Sequence, residues 1–359
     1  MSFDVLQPGE GAIAGDQLLT STPDTVSWGW LPNAASAPRL TVASGGTVTI
    51  DTLSHEGILE DQGRDPVGFL GGYGIKATSV LADAKEIAAS NILNGPEDGP
   101  HVVTGPIAVT GARPGDVLKI DVLELEPRTP YGFVSSRHGY GALPGELPEG
   151  PASVFQFCEV GLAGGRMVSW IGATDGRRAC FPLDPFLGLM GVAPATTDPV
   201  PSVPPGDHGG NIDIKWAQVG CALYLPVSVD GAMFYTGDPH YAQGNGEVAL
   251  TALEASLRAT LRLTVLSGPT ARAAVGSLRN PVVESPGYWI PTGMDVSLDE
   301  AMRHCVRNAI TFLVERFGFD RASALAYLSA AGDFEVSQVV DAVKGVHCMI
   351  RKSDFAAWS

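Results

Sequence analysis

Alternation of apolar and polar positions dominates the first three quarters of the chain. Residues 40–42 and 47–53 flank Gly45-Gly46, which predicts a hairpin. Residues 102–110 form a further apolar run, closed by the turn Ala112-Arg113-Pro114-Gly115-Asp116. In the strand after it, Leu118, Ile120 and Val122 face one side while Lys119 and Asp121 face the other. The phase then slips to Leu123 and Leu125, which predicts a bulge. Residues 223–229 read as a short apolar strand. The longest alternation covers 253–265, where Leu253, Ala255, Leu257, Ala259, Leu261, Leu263 and Val265 interleave with Glu254, Ser256, Arg258, Thr260, Arg262 and Thr264. A helix there would put Glu254, Arg258 and Arg262 among the leucines, so one half-buried strand is predicted.

The pattern changes towards the C-terminus. Ser297 and Glu300 form a capping box that opens a helix through Met302, Val306, Ile310, Leu313 and Val314, stopping near Gly318. Asp320 caps a second helix over 322–328, Asp333-Phe334-Glu335 starts a third, and 345–350 closes as a strand. Two stretches carry neither period. A loop from about 126 to 151 holds S-S-R-H-G-Y-G-A-L-P-G-E, and long loops inside compact domains are often functional. A Pro-rich segment over 194–205 reads as an extended, ordered connector. The chain is therefore β-rich with a helical patch near its end.

Composition narrows the function classes. Charged residues are 17% of the chain while Gly 44 and Pro 27 are high, which suits short strands and tight turns. A net charge of −16 argues against nucleic acid and against an anionic membrane surface. No apolar run approaches the ~20 residues of a membrane span, and the first residues lack the pattern of a signal peptide. Cys158, Cys180, Cys221, Cys305 and Cys348 are odd in number and form no C-x-x-C pair, so reduced thiols in a cytoplasm are expected.

Candidate chemistry concentrates between Asp207 and Glu247. In D-H-G-G-N-I-D-I-K, His208 precedes two glycines, and Asn211 and Asp213 share a face if the backbone is extended. A polar turn with Asp and Asn capping their own backbone is an equal alternative. In Gly237-Asp238-Pro239-His240, a D-x-H step offers two ligands to one side, or is again a polar turn. Two His and two Asp suit zinc, manganese or iron more than calcium. Glu247, after Gly244-Asn245-Gly246, is a candidate general base. His55 and Glu56 are adjacent and would face opposite ways on a strand. His138 and Glu146 sit in the long loop, where they would cover a pocket. His101 reads equally well as part of a surface turn, and His304 and His347 read as structural. Cys221 in its apolar run reads as a small hydrophobe. Neither a G-x-S-x-G elbow nor a phosphate-binding glycine loop is present.

Three segments, T-G-P-I-A-V-T-G-A-R-P-G-D-V-L from Thr104, H-G-G-N-I-D-I-K from His208 and Y-L-P-V-S-V-D-G-A-M-F-Y-T-G-D-P-H-Y-A-Q-G-N-G-E from Tyr224, together resemble the acetamidase/formamidase family. S-H-E-G-I-L-E-D-Q-G and R-H-G-Y-G-A-L-P-G-E are similar to its bacterial acetamidase branch. Pro239 and Asn245 depart from the pattern, where glycine and an acidic residue are common. The resemblance implies hydrolysis of short aliphatic amides such as acetamide and formamide, a bound divalent metal (zinc), a homo-oligomer and a mainly β architecture. The expected fold is mainly β, α+β overall, with a β-sandwich or barrel-like core and a smaller α/β C-terminal portion. The expected division is a β-rich domain over 1–205, a β-rich segment with the active site over 206–295 and a helical α+β portion over 296–359. The expected metal ligands come from His208, Asp213, Asp238, His240 and His55. Glu247 or Glu56 is the expected proton acceptor, Asn211 orients the substrate, Glu146 lies near it, and the metal or a backbone N–H of Gly209-Gly210 stabilises the oxyanion. The alternatives are a thiol amidase built on Cys221 with a Glu and Lys215, and a non-catalytic β-sandwich that binds a small molecule.

Overall fold

A computed structural model describes residues 3–95, 97–150 and 152–358. Pro151, the end of the long loop, and the first two residues of the stretch read for a leader lie outside them. Two large sheets carry the fold. The first has nine strands in the order Gln17–Thr20, Gly46–Asp51, Leu257–Leu266, Val117–Pro127, Ala222–Pro226, Val282–Glu284, Tyr288–Asp295, Lys344–Arg351 and Asp333–Gln338. The second has eleven. Its main path runs Arg178–Pro182, Arg166–Gly172, Ser153–Ala163, Tyr131–Arg137, Leu253–Glu254, Phe234–Ala242, Phe186–Val192 and Gly209–Asn211. The strand Val102–Val109 branches off Phe234–Ala242 and itself pairs with Val26–Trp28 and Leu40–Val42. Neither sheet closes on itself. One apolar core joins them, with Ile50, Ile120 and Leu261 from the first sheet packed among Ile107, Leu187 and Phe234 from the second. This is a mainly β, α+β fold with a sandwiched core, and strands from residues 206–295 are threaded into both sheets.

The bulge lies where the phase slips. Thr260 pairs with Glu124 and Leu261 with Val122, so Leu123 is the extra residue. The Gly45-Gly46 turn is not a hairpin, because Leu40–Val42 joins the second sheet and Gly46–Asp51 the first. The glycines turn the chain from one layer to the other. The alternation over 253–265 also divides. Leu253–Glu254 belongs to the second sheet and Leu257–Leu266 to the first, with the crossing at Ala255-Ser256. Its polar side is not uniformly solvated: Arg258 is buried and paired with Asp51 at 2.6 Å. The long loop contains the strand Tyr131–Arg137.

At the C-terminus the helix Leu298–Phe317 ends at Gly318 in a left-handed cap, and Asp320 caps Arg321–Ala331 through the N–H groups of Ala322 and Ser323. Ser297 is the N-cap but makes no side-chain cap bond, and Glu300 instead pairs with Arg303. The predicted third helix is the edge strand Asp333–Gln338, whose Phe334 and Val336 alternate with Asp333, Glu335 and Ser337. The long helix packs on Tyr288–Asp295 and Lys344–Arg351, with Cys305 and Leu313 set against Trp289, Val346 and Cys348. Gly293 permits that approach, since a Cβ there would strike the Cys305 backbone. No helix among the described residues is long and apolar enough to cross a membrane.

Candidate metal centre and its cavity

Strand Phe234–Ala242 runs through the second sheet, and its middle carries Asp238 and His240. Asp238 takes a left-handed φ of 50°, which breaks the simple two-residue alternation. His240 Nε2 nevertheless stands 2.9 Å from Asp238 Oδ2 and 3.0 Å from Glu254 Oε1. Glu254 arrives on the neighbouring short strand, in register with His240. His55 comes from the loop after Gly46–Asp51, with Nδ1 3.6 Å from Asp238 Oδ1. Asp213 follows the strand Gly209–Asn211. The Gly188 carbonyl accepts from the N–H groups of Asp213 and Ile212, at 3.1 and 3.0 Å. Glu247 closes the turn begun at Gly244. Asp341 lies in the turn between the last two strands, flanked by Val340 and Ala342. Asp213, Asp238, Glu247 and Asp341 all have left-handed φ, between 46° and 62°. For residues with a Cβ this strained conformation concentrates at functional sites.

Two sets of potential ligand atoms result, His55/Asp238/Glu254 and Asp213/His240/Glu247, each within 4.8 Å. Gly188 backs both, since a Cβ there would lie 2.5 Å from Asp213 Oδ1, 2.6 Å from Asp238 Oδ2 and 2.7 Å from His240 Cε1. All six side chains are buried. Both Asp213 oxygens, Asp238 Oδ1, Glu247 Oε2, Glu254 Oε2 and both His55 nitrogens make no hydrogen bond. Buried polar atoms are ordinarily partnered, and a buried charge without a counter-charge is costly. The donor set suits a divalent cation, which would serve these atoms together.

The electrostatics express the same crowding. Asp213 is held well above the ordinary carboxylate range, by burial first and by Asp238, Asp341 and Glu254, against the pull of His240. Glu247 is likewise raised, by burial and by Asp213. Asp238 is lowered because His240, His101 and His55 outweigh its burial. His240 is raised because Glu254 and Asp238 outweigh its own burial. Its Nδ1 lies 3.1 Å from Gln243 Oε1. Gln243 Nε2 donates to the carbonyls of Asp213 and Ser337. That fixes the amide, so His240 Nδ1 carries the proton and Nε2 is left to face the carboxylates.

Glu56 sits one step out. Its Oε1 accepts from Ser135 Oγ at 2.5 Å and lies 3.5 Å from His55 Nε2, while Oε2 accepts from Gln62. Burial alone would raise its pKa, but His55, Arg137 and Ser135 hold it below the ordinary range.

The other expected residues lie elsewhere. Neither ligand set contains His208. Its ring packs against Gly206 and Gly210, and burial alone lowers its pKa to about 4. The N–H of Gly209 is committed to the Gly206 carbonyl at 2.9 Å, which removes it as an oxyanion donor. Glu146 is exposed in the loop after Tyr131–Arg137. That loop is tied to the 247–250 turn by the Ala142 N–H donating to the Val248 carbonyl at 2.9 Å. Asn211 is buried, its carbonyl accepting from Gln338 Nε2 at 2.7 Å and its Oδ1 without a partner. Cys221 is buried at the head of Ala222–Pro226, its thiol pushed up by burial.

Three residues beside the cluster escaped the sequence reading. Glu254 falls on the polar side of the 253–265 alternation. Asp341 lies in a turn without a motif. His101 is buried, with Nδ1 2.9 Å from Ser202 Oγ and Nε2 3.9 Å from Asp238 Oδ1, and burial lowers its pKa to about 4. The Pro100-His101 turn gave no sign of that position.

A cavity of about 520 Å³ abuts the cluster, with Gln243 and Glu247 among its lining residues. Comparison with known proteins decides the lineage. The Acetamidase/Formamidase family model matches residues 83–200 and 196–351. The chain belongs to this family. It is 28% identical over 304 residues to a formamidase of Methylophilus methylotrophus, covering 67% of this chain and 73% of that one. It is 26% identical over 300 residues to an acetamidase of Mycolicibacterium smegmatis, covering 64% and 73%. The crystal structure of an acetamidase from Bacillus halodurans superposes with a TM-score of 0.72 at 27% identity, over 95% of this chain and 99% of that one.

Proposed function

We propose that this chain is an amidohydrolase that cleaves linear aliphatic amides to a carboxylate and ammonia, using a divalent cation held in the cluster. One observation carries the reading: a set of buried, unpartnered carboxylates and imidazoles gathered around Gly188, bordered by a cavity through Glu247. Membership of a family with a formamidase and an acetamidase among its relatives supplies the bond that is broken.

The cation would be held by Asp238, His240, His55, Asp213 and Glu254, and mixed imidazole and carboxylate donors favour zinc over calcium. When bound it supplies Lewis acidity and makes a water acidic enough to react at neutral pH. Glu247 takes the proton of the attacking water, a role suited to a carboxylate whose pKa is raised by burial and by Asp213 and whose Oε2 is free. As the water oxygen bonds to the carbonyl carbon, the C=O pair moves onto oxygen. When that pair returns, the C–N bond breaks and Glu247 returns the proton to nitrogen, so ammonia leaves. Glu56 is tied by Ser135 and Gln62, which suits it to orienting His55 rather than to moving protons. Asn211 Oδ1 is free to accept an amide N–H. The five cysteines are unpaired and four are buried, which accords with a cytoplasmic enzyme. A homo-oligomer belongs to the same reading, and Tyr140, Leu143 and Leu147 are exposed apolar side chains available for it.

Ammonia release from formamide, acetamide and propionamide tests the activity. Turnover of any of them supports the reading. Binding of amides without ammonia release would make the chain a binding protein instead.

A further inference from the structure

Acetamide has four non-hydrogen atoms, yet the cavity beside Glu247 measures about 520 Å³. That volume lies within the roughly 300–1,000 Å³ of pockets for much larger ligands. Its walls are mostly apolar. Val134 comes from the strand Tyr131–Arg137 and Phe181 from Arg178–Pro182, while Trp216 and Leu253 add further apolar surface. Gln243, which holds His240, and Glu247 mark the end that meets the cluster. Asp184, Lys215, Gln218 and Thr251 add polar groups to the walls. Trp216 Nε1 donates to Glu335 and Asn245 Nδ2 donates to the same carboxylate, so both are occupied with each other's neighbour. Lys215 lies over the Trp216 ring at 5.5 Å.

We infer that this cavity is an acyl-group site, and that the chain acts on amides whose acyl part extends beyond acetyl, through straight chains of four to six carbons and up to a phenylacetyl group. The inference rests on the amidohydrolase reading and deepens it. An amide with its carbonyl at Glu247 would run its acyl tail along Val134, Phe181 and Trp216. Each methylene moved from water onto that surface gains on the order of 0.8 kcal/mol, equivalent to about fourfold in kcat/KM. A site closed around acetyl would show the reverse trend, because an added methylene would clash.

The test is kcat/KM for formamide, acetamide, butyramide, hexanamide and phenylacetamide, with calorimetric titration of hexanoate and phenylacetate as a readout that needs no turnover. The expected result is a rise of severalfold per methylene from acetamide to hexanamide. Val134→Trp, which narrows the cavity, is expected to reverse that rise, lowering kcat/KM for hexanamide more than for acetamide. Phe181→Ala is expected to raise KM more for phenylacetamide than for acetamide. A fall from acetamide to butyramide, with no binding of hexanoate, would overturn the acyl site and leave the amidohydrolase intact. Absence of ammonia from every amide would overturn the amidohydrolase reading instead, and hexanoate binding would then still report on the cavity.

Discussion

Glu247 and Glu56 are both buried glutamates near the same imidazoles, and their surroundings separate them. Glu247 has a raised pKa and a free oxygen, whereas Glu56 has a lowered pKa and partners on both oxygens. Replacing Glu247 by Gln should lower kcat by about 10²–10⁴-fold, the usual contribution of a proton-transfer group, with the bound cation retained. Replacing Glu56 by Gln should instead weaken cation affinity by about 10–100-fold, as loss of an outer partner does. Metal analysis beside steady-state kinetics separates the two outcomes. His208 makes a prediction of a different kind. Its pKa is lowered to about 4 by burial, below the ordinary 6.5, so the unfolded chain binds the extra proton between those values. Stability is therefore present above about pH 6.5 and is lost as pH falls towards 4, at up to about 1.4 kcal/mol per pH unit. Urea denaturation across that range should show a shallower pH slope in His208→Gln than in the parent. An unchanged slope would contradict the assignment. Asp213, Asp238, His240, His55 and Glu247 were legible as candidates because ligand-type residues cluster with glycines in the sequence. Glu254 and His101 were not, because only strand pairing within the second sheet sets Glu254 beside His240 and only the folded chain sets His101 beside Asp238.

At the scale of elements, the site depends on how closely strands approach at Gly188. Adding a Cβ there would intrude among Asp213, Asp238 and His240 at 2.5–2.7 Å. Gly188→Ala should keep the fold, seen as an unchanged far-ultraviolet spectrum, while bound metal falls below about a tenth of the parent's. Retention of full metal occupancy would remove Gly188 from the account. Apolar patterning along the chain located the strands Leu40–Val42, Gly46–Asp51, Val102–Val109, Val117–Pro127, Ala222–Pro226 and Lys344–Arg351 and the bulge at Leu123, but not the five strands between Tyr131 and Val192. It did not reveal where a strand leaves one sheet for the other. Ala255-Ser256 continues the same period of two through such a crossing, and Gly45-Gly46 has hairpin chemistry while joining two layers. The acidic start of Asp333–Gln338 mimicked a helix N-terminus, although its side chains alternate as a strand's do.

For the molecule as a whole, the cluster joins distant parts of the chain: the loop at His55, the 211–254 region and the turn at Asp341. A cation that neutralises crowded buried carboxylates binds the folded state and not the unfolded one, so it should stabilise the whole sandwich. Chelation is expected to lower Tm by several degrees, and restoring the ion should reverse the shift. The measurement that bears most directly on the central claim combines metal content with turnover. Purified protein should contain a divalent cation in stoichiometric amount, lose amide hydrolysis when a chelator removes it, and recover on addition of zinc, while Asp238→Asn should neither hold the ion nor recover. Full amide turnover by rigorously metal-free protein would contradict the account.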